Sequence, residues 1–304
     1  MLGPLVQVSV GLAALVYGGE RVVDHASAIA HELGLSTLFI GVTFVAVGSS
    51  IPEIATSVYA GLYDAPVLVA GHIIGSATSQ ITVGIGVVAL LSPIAIPRSK
   101  LRLYGGGMLA AMGLMLAVLW SGRVTRVEGA LLTGAYLTFL GVSYEELDLE
   151  AAVDHRASSE TSARTVVWLI GGLALVVVGG HLFVAGSRQA ALALGVPQLV
   201  LGLVTGLGTT TPEIAIAAAA VLDDQAGIAI GTLFGSNVTD PLFSFGVGAL
   251  VGGFTFTDVG VVLASAAYML VASTLVVALF LVHGEVDARG ALGCIALYLP
   301  TFLV

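Results

Sequence analysis

Uncharged apolar runs long enough to cross a bilayer recur along the whole of this chain, and that recurrence leaves few folds open to it. About 20 apolar residues span the ~30 Å hydrocarbon layer as a helix, and inside that layer a chain must satisfy its own backbone hydrogen bonds. Ten runs can be marked, over residues 2–19, 36–61, 66–91, 103–121, 126–144, 165–187, 196–221, 226–251, 259–282 and 286–304. With 57% of its 304 residues hydrophobic, only 10% charged and a mean hydropathy of +1.05, the chain falls outside the soluble globular range. The expected fold is an all-α membrane protein of ten transmembrane helices.

The N-terminal run lacks a basic leader and a small-residue cleavage site, so it reads as the first membrane helix rather than a signal peptide. Cys294 is the only cysteine, which excludes an intrachain disulfide and a cysteine-built metal site. The net charge of -9 is uneven: Glu145, Glu146, Asp148, Glu150, Asp154 and Glu160 fall in one polar linker, residues 145–164. These acids lack the Asp-x-Asp-x-Asp-Gly loop pattern and read as a solvated connection. Lys and Arg near the helix ends set orientation. With the N-terminus outside, seven basic residues (Arg21, Arg98, Lys100, Arg102, Arg156, Arg164, Arg289) fall on the cytoplasmic side and three (Arg123, Arg126, Arg188) outside. The expectation is a cell (plasma) membrane protein with both termini outside and the linker in the cytoplasm.

The two halves of the chain repeat each other. Gly18-Gly19 aligns with Gly179-Gly180, Gly34 with Gly195, Gly41 with Gly202, Pro52-Glu53 with Pro212-Glu213, and Gly75-Ser76 with Gly235-Ser236. Five helices per half is an odd number, so the second copy must enter the membrane inverted. Residues 1–144 form the first five-helix repeat and 165–304 the second. Inverted repeats are the architecture of many secondary transporters, which hold substrate near the midplane where interrupted helices meet. The Gly-x-x-x-Gly pairs Gly71/Gly75 and Gly231/Gly235 are expected to serve helix packing.

The acids inside the repeats resist a packing explanation. A charged carboxylate at bilayer depth costs at least about 2.5 to 3.5 kcal/mol on insertion scales. Glu53 follows Gly48-Ser49-Ser50-Ile51-Pro52, and Glu213 follows Gly208-Thr209-Thr210-Thr211-Pro212. Each is followed 27 positions later by a second polar residue, Gln80 and Asp240, and Glu53, Gln80, Glu213 and Asp240 make up the expected central ion-binding set. Pro52, Pro212 and Pro241 remove backbone donors and disfavour helix just before them, so the second, third, seventh and eighth helices are expected to break around a midplane site. Ca²⁺ takes 6 to 8 oxygen ligands, which two glutamates and freed carbonyls can supply. The hydroxyls of Ser49, Ser50, Ser76, Thr209, Thr210 and Ser236 suit the singly charged Na⁺. Without thiolates near the site, transition metals are disfavoured. His72, about two helical turns before Gln80, reads as an interhelical histidine in preference to a proton-coupling group. Glu128, Asp64, Asp223 and Asp224 sit near helix ends and receive no role.

The duplicated Pro-Glu after Gly and two hydroxyl residues, with Gly-Ser-Asn and a final acid in the second copy, resembles the signature repeats of the sodium/calcium exchanger family, within the cation/calcium antiporter superfamily. The resemblance implies that Glu53 and Glu213 coordinate the transported cation from both sides with help around Ser49 and Thr209. It implies Na⁺ sites built from Ala46, Ser50, Ser76, Gly206, Thr210, Ser236 and the glutamates, and a gate made by the first and sixth helices sliding against the core. Similar exchangers couple several Na⁺ to one Ca²⁺. The chain departs from the family at Gln80, where Asn or Asp is usual, at Ala77 in place of Asn, and at Thr210 in place of serine. The expected function is Na⁺/Ca²⁺ antiport by alternating access, with Ca²⁺ and Na⁺ as transported substrates, no cofactor, no nucleic acid and no obligatory protein partner beside membrane lipid. A cation/proton exchanger is the alternative, and a cation channel a reading from another class. No phosphate loop, Gly-x-Ser-x-Gly or His-Glu-x-x-His occurs, so an enzyme is disfavoured.

Overall fold

The computed structural model describes residues 2–33, 35–63, 66–151, 163–193, 208, 210–256 and 259–302. They form α1 (Leu2–Leu33), α2 (Thr37–Ser49), α3 (Ile51–Tyr63), α4 (66–91), α5 (Arg98–Leu119), α6 (Arg126–Ala151), α7 (Ala163–Ala193), α8 (Thr211–Leu222), α9 (226–252), α10 (Val259–His283) and α11 (Ala288–Ala296). Among the described residues three helical stretches, Val69–Leu91, Arg98–Leu119 and Val259–His283, are each long and apolar enough to cross a bilayer unaided.

Several helices outrun their apolar segments. At 1.5 Å per residue the 32 residues of α1 reach about 48 Å, well beyond the hydrocarbon layer. The helix passes through Glu20, Arg21 and Asp24 without ending, and the Arg21–Asp24 ion pair of 3.0 Å at i,i+3 supports it there. Likewise α6 continues to Ala151 and takes up the first part of the expected linker; residues 152–162, with Asp154 and Glu160, lie outside the described residues.

The interruptions take two forms. Between α2 and α3 the helix stops at Ser50 (φ −80°, ψ 10°), and Pro52 becomes the second residue of the new helix. Pro212 holds the same place in α8. A proline there loses no helical hydrogen bond, since the first N–H groups of a helix have no intrahelical acceptor. The expected gaps in α4 and α9 are instead π-helical turns, Gln80–Gly84 and Asp240–Ser244, inside continuous helices. Pro241 removes one helical donor in the second; Ile81 stands there in the first, so proline is not the shared cause.

Two short antiparallel pairs join loops of one half to loops of the other. In the first, β1 (Ile94–Ala95) pairs β4 (Glu285–Val286), Ile94 opposite Val286. In the second, β2 (Arg123–Val124) pairs β3 (Phe254–Thr255), Val124 opposite Phe254.

Small residues bring the helices around the site to backbone contact, as membrane helices without a hydrophobic driving force between them require. A Cβ on Gly231 would fall 2.4 Å from the Leu38 carbonyl oxygen, and one on Gly235 2.6 Å from Val42 Cα, which locks α9 against α2. No described atom lies within 4 Å of the same positions on Gly71 and Gly75. Along α1 and α7, Gly18 meets Val176, Gly172 meets Val22 and Gly186 meets the Pro4 carbonyl, so the two long helices pack together over much of their length.

Candidate ion site

The breaks put a carboxylate in the first turn of each new helix, Glu53 in α3 and Glu213 in α8. There the partial positive charge of the helix N-terminus favours an anion. The carbonyls of Ser50 and Thr210 accept the first helical bonds, from Ile54 and Ile214, both at 3.0 Å. The sequence pattern therefore does two things at once: it starts a helix and aims an acid from it.

Across from these helix starts, α4 and α9 supply the second pair of polar residues. The Ser76 hydroxyl stands 3.5 Å from both Glu53 Oε1 and Asp240 Oδ2. Gln80 Nε2 donates to Asp240 Oδ2 and to Ser76 Oγ, each at 3.3 Å. On its other oxygen Asp240 accepts from Ser244 at 3.4 Å. Glu213 lies within electrostatic reach of Glu53 and Asp240 and beside Ser49, while Ser50 stands beside Asp240. All of these residues are fully buried.

Satisfaction is uneven in this layer, and that unevenness is chemically informative. Both oxygens of Asp240 have donors, whereas Glu53 Oε2, both oxygens of Glu213, Gln80 Oε1 and the hydroxyls of Ser50 and Ser236 have no hydrogen-bond partner among the described residues. A buried polar oxygen without a partner is destabilising by roughly 1 to 3 kcal/mol, more when charged, so so many in one place mark oxygens reserved for something other than protein donors. The Ala46 carbonyl is engaged by Ser50 N–H at 3.0 Å and the Ser49 hydroxyl at 3.2 Å. Among the described residues no three His, Cys, Asp or Glu side chains close on one point as in a resident metal centre. The layer is carboxylates interleaved with hydroxyls and one amide.

His72 makes an interhelical contact, as expected, and its partner is one the sequence reading did not name: its Nε2 is 3.4 Å from Glu53 Oε1. The sequence reading also passed over Ser79, which donates to Thr210 Oγ1 at 3.0 Å, and Ser244. Ser244 lies one turn from Asp240 on the same face, and that i,i+4 spacing was the available signal. Thr209 and Gly206 lie outside the described residues.

A helical membrane protein that gathers buried carboxylates and hydroxyls where interrupted helices meet belongs to the class of secondary transporters of hard cations. The sodium/calcium exchanger protein family profile matches twice, over residues 4–145 and 164–303. The chain belongs to that family, and it is a cation/Ca²⁺ antiporter rather than an enzyme. It is 33% identical to the candidate antiporter CaxA of Alkalimonas amylolytica over 90% of this chain and 88% of that one. With the sodium/calcium exchanger MaX1 of Methanosarcina acetivorans it shares 28% identity, over 79% of this chain and 81% of the relative. The sodium-calcium exchanger NCX_Mj, soaked with 100 mM Na⁺ and 10 mM Sr²⁺, aligns with a TM-score of 0.84 at 25% identity, covering 99% of this chain and 98% of that one.

Proposed function

We propose that the protein exchanges Na⁺ for Ca²⁺ across the cell membrane by alternating access, with Glu53 and Glu213 clasping the transported Ca²⁺ between them. The observation that carries this reading is the set of buried, unpartnered carboxylate oxygens on Glu53 and Glu213. Two carboxylates balance one Ca²⁺, and oxygens around Ser49 and Thr209, together with water, complete its 6 to 8 oxygens. Na⁺, with half the charge, takes the flanking positions at Ala46, Ser50, Ser76, Gly206, Thr210 and Ser236. Because both ions draw on the same glutamates, one displaces the other. Asp240 and Gln80 shape the layer from α9 and α4.

The chain is assigned two inverted repeats, residues 1–144 and 165–304, joined by the acidic segment 145–164. The equal spacing of the π-turns and the reciprocal β1–β4 and β2–β3 pairs support it. Both termini are assigned to the outside, on the distribution of Lys and Arg. In that orientation a cleft of about 550 Å³ between α1 and α8, lined by Glu20, Arg21, Asp24 and Asp223 and reaching Thr211, opens toward the cytoplasm. Its three acids to one arginine support a route for cations beside α1, one of the two gate helices.

⁴⁵Ca²⁺ exchange in proteoliposomes with Na⁺, K⁺ and H⁺ gradients imposed in turn tests the coupling. The proposal expects Ca²⁺ uptake driven by an outward Na⁺ gradient and obligatory counterflow, which a channel lacks. The His72–Glu53 contact favours one second reading, cation/proton exchange. Uptake driven by a pH gradient with Na⁺ absent selects it.

A further inference from the structure

Away from the ion layer, a second cavity of about 470 Å³ opens between α1 and the start of α7, lined by Tyr17, Arg21, His25, Arg164, Thr165 and Trp168. Its composition runs against that of the molecule. In a chain of net charge -9 with only 10 Lys and Arg, two arginines from different helices line one cavity, and none of the described residues in its wall is a carboxylate. The Arg21 guanidinium lies 5.3 Å from the Tyr17 ring centroid, and His25 stacks on Trp168 with centroids 6.3 Å apart. Asp24 takes one end of Arg21 at 3.0 Å, but Arg21 Nε is buried and has no hydrogen-bond partner among the described residues. A guanidinium has five N–H donors, so one carboxylate does not exhaust it.

The surroundings place this cavity at a membrane boundary. Val167 and Ile170, on the turn that carries Trp168, are 66% and 60% exposed, as lipid-facing residues are. Tyr17 and Trp168 are themselves half exposed, and such amphipathic rings concentrate at the headgroup level. Basic pockets between transmembrane helices suit phosphate-bearing headgroups, and the volume falls within the range of small-ligand sites.

We propose that this cavity binds the phosphate of an anionic membrane phospholipid, held by Arg21 and Arg164 with Thr165 as a hydroxyl donor and flanked by Tyr17 and Trp168. A free phosphate shares the chemistry, but the aromatic and aliphatic flank on the lipid side suits a headgroup with its acyl chains attached. Bound there, the lipid bridges α1 and α7 at one end of their shared packing seam and braces the pair. The site stands whether the exchanged partner ion is Na⁺ or H⁺.

The test uses the purified full chain in detergent, titrated with phosphatidylglycerol, with phosphatidylcholine of the same acyl chains, and with inorganic phosphate. Native mass spectrometry counts retained lipid, and thermal unfolding is read in parallel. Phosphatidylglycerol is expected to be retained in preference to phosphatidylcholine, about five-fold more weakly in Arg21→Gln and likewise in Arg164→Gln, and undiminished in Arg126→Gln. Should Arg21→Gln fold poorly because it strands Asp24, the double substitution Arg21→Gln/Asp24→Asn keeps the pair neutral and reads the same loss. Equal retention of the two lipids, or retention of phosphatidylglycerol untouched by both arginine substitutions, overturns the site. Protection by inorganic phosphate at the lipid's own concentration overturns the assignment to a lipid.

Discussion

The two halves of the ion layer share a backbone plan and differ in their side chains. In the first half Glu53 faces His72 at 3.4 Å and Ser76 at 3.5 Å; in the second, Glu213 has no hydrogen-bond partner among the described residues. The residues matching His72 and Gln80 are Thr232 and Asp240, since Gly71 to Gln80 reads against Gly231 to Asp240 position by position. One half thus sets a histidine and a serine against its glutamate and contributes a neutral amide, while the other sets Ser49 beside its glutamate and contributes an acid. Duplication fixes where four side chains point, and substitution within the copies decides which oxygens remain for a cation.

That contrast can be broken most severely at the glutamates. Glu213→Gln and Glu53→Gln should each reduce ⁴⁵Ca²⁺ exchange to background while the protein remains folded and monodisperse by size-exclusion chromatography. Normal flux in either variant removes that residue from the site.

A smaller effect is expected at Asp240, whose oxygens are already taken by Ser76, Gln80 and Ser244. Asp240→Asn sets an amide donor among donors and gives up charge-assisted bonds worth about 1.5 to 3 kcal/mol each. It should lower the melting temperature and slow Ca²⁺ exchange without abolishing it. Complete loss of flux with unchanged stability would make Asp240 a direct ion ligand instead.

Gln80→Asn shortens the amide by one methylene, so its contact with Asp240 lengthens. The Na⁺ titration of Ca²⁺ exchange should shift while exchange persists; an unmoved titration leaves this departure from the family pattern without consequence. Smallest of all, His72→Thr makes the halves alike at that position and leaves Glu53 Oε1 with Ser76 alone. Apparent Ca²⁺ affinity should change by less than about ten-fold, within ~1.4 kcal/mol. If Na⁺-driven flux vanishes instead, His72 belongs to the transport machinery.

The helical membrane architecture was legible because apolar runs are dictated by the bilayer, and the paired glutamates because burying a charge in lipid needs a reason. Helix ends were less so. The charges at Glu20, Arg21 and Asp24 mark the edge of the apolar layer, but α1 runs on to Leu33, since a helix leaving the membrane keeps its own hydrogen bonds. The break was expected at the motif before Pro52, and the backbone does turn there, at Ser50; what the sequence did not show is that the proline opens the next helix. His72 was legible as an interhelical histidine but its partner was not, because periodicity along α4 says which residues share its face and nothing of what α3 brings against it. Ser76 and Gln80, 164 and 160 positions from Asp240, were legible as members of its site through the repeat, though their bonds to Asp240 were not.

The most direct measurement is a structure of the Ca²⁺-loaded protein at a resolution that separates ion from water. A single Ca²⁺ within about 2.3 to 2.6 Å of carboxylate oxygens from both Glu53 and Glu213 is what the account predicts. Ca²⁺ bound to only one of the two, or lodged elsewhere with both carboxylates turned away from it, would contradict it.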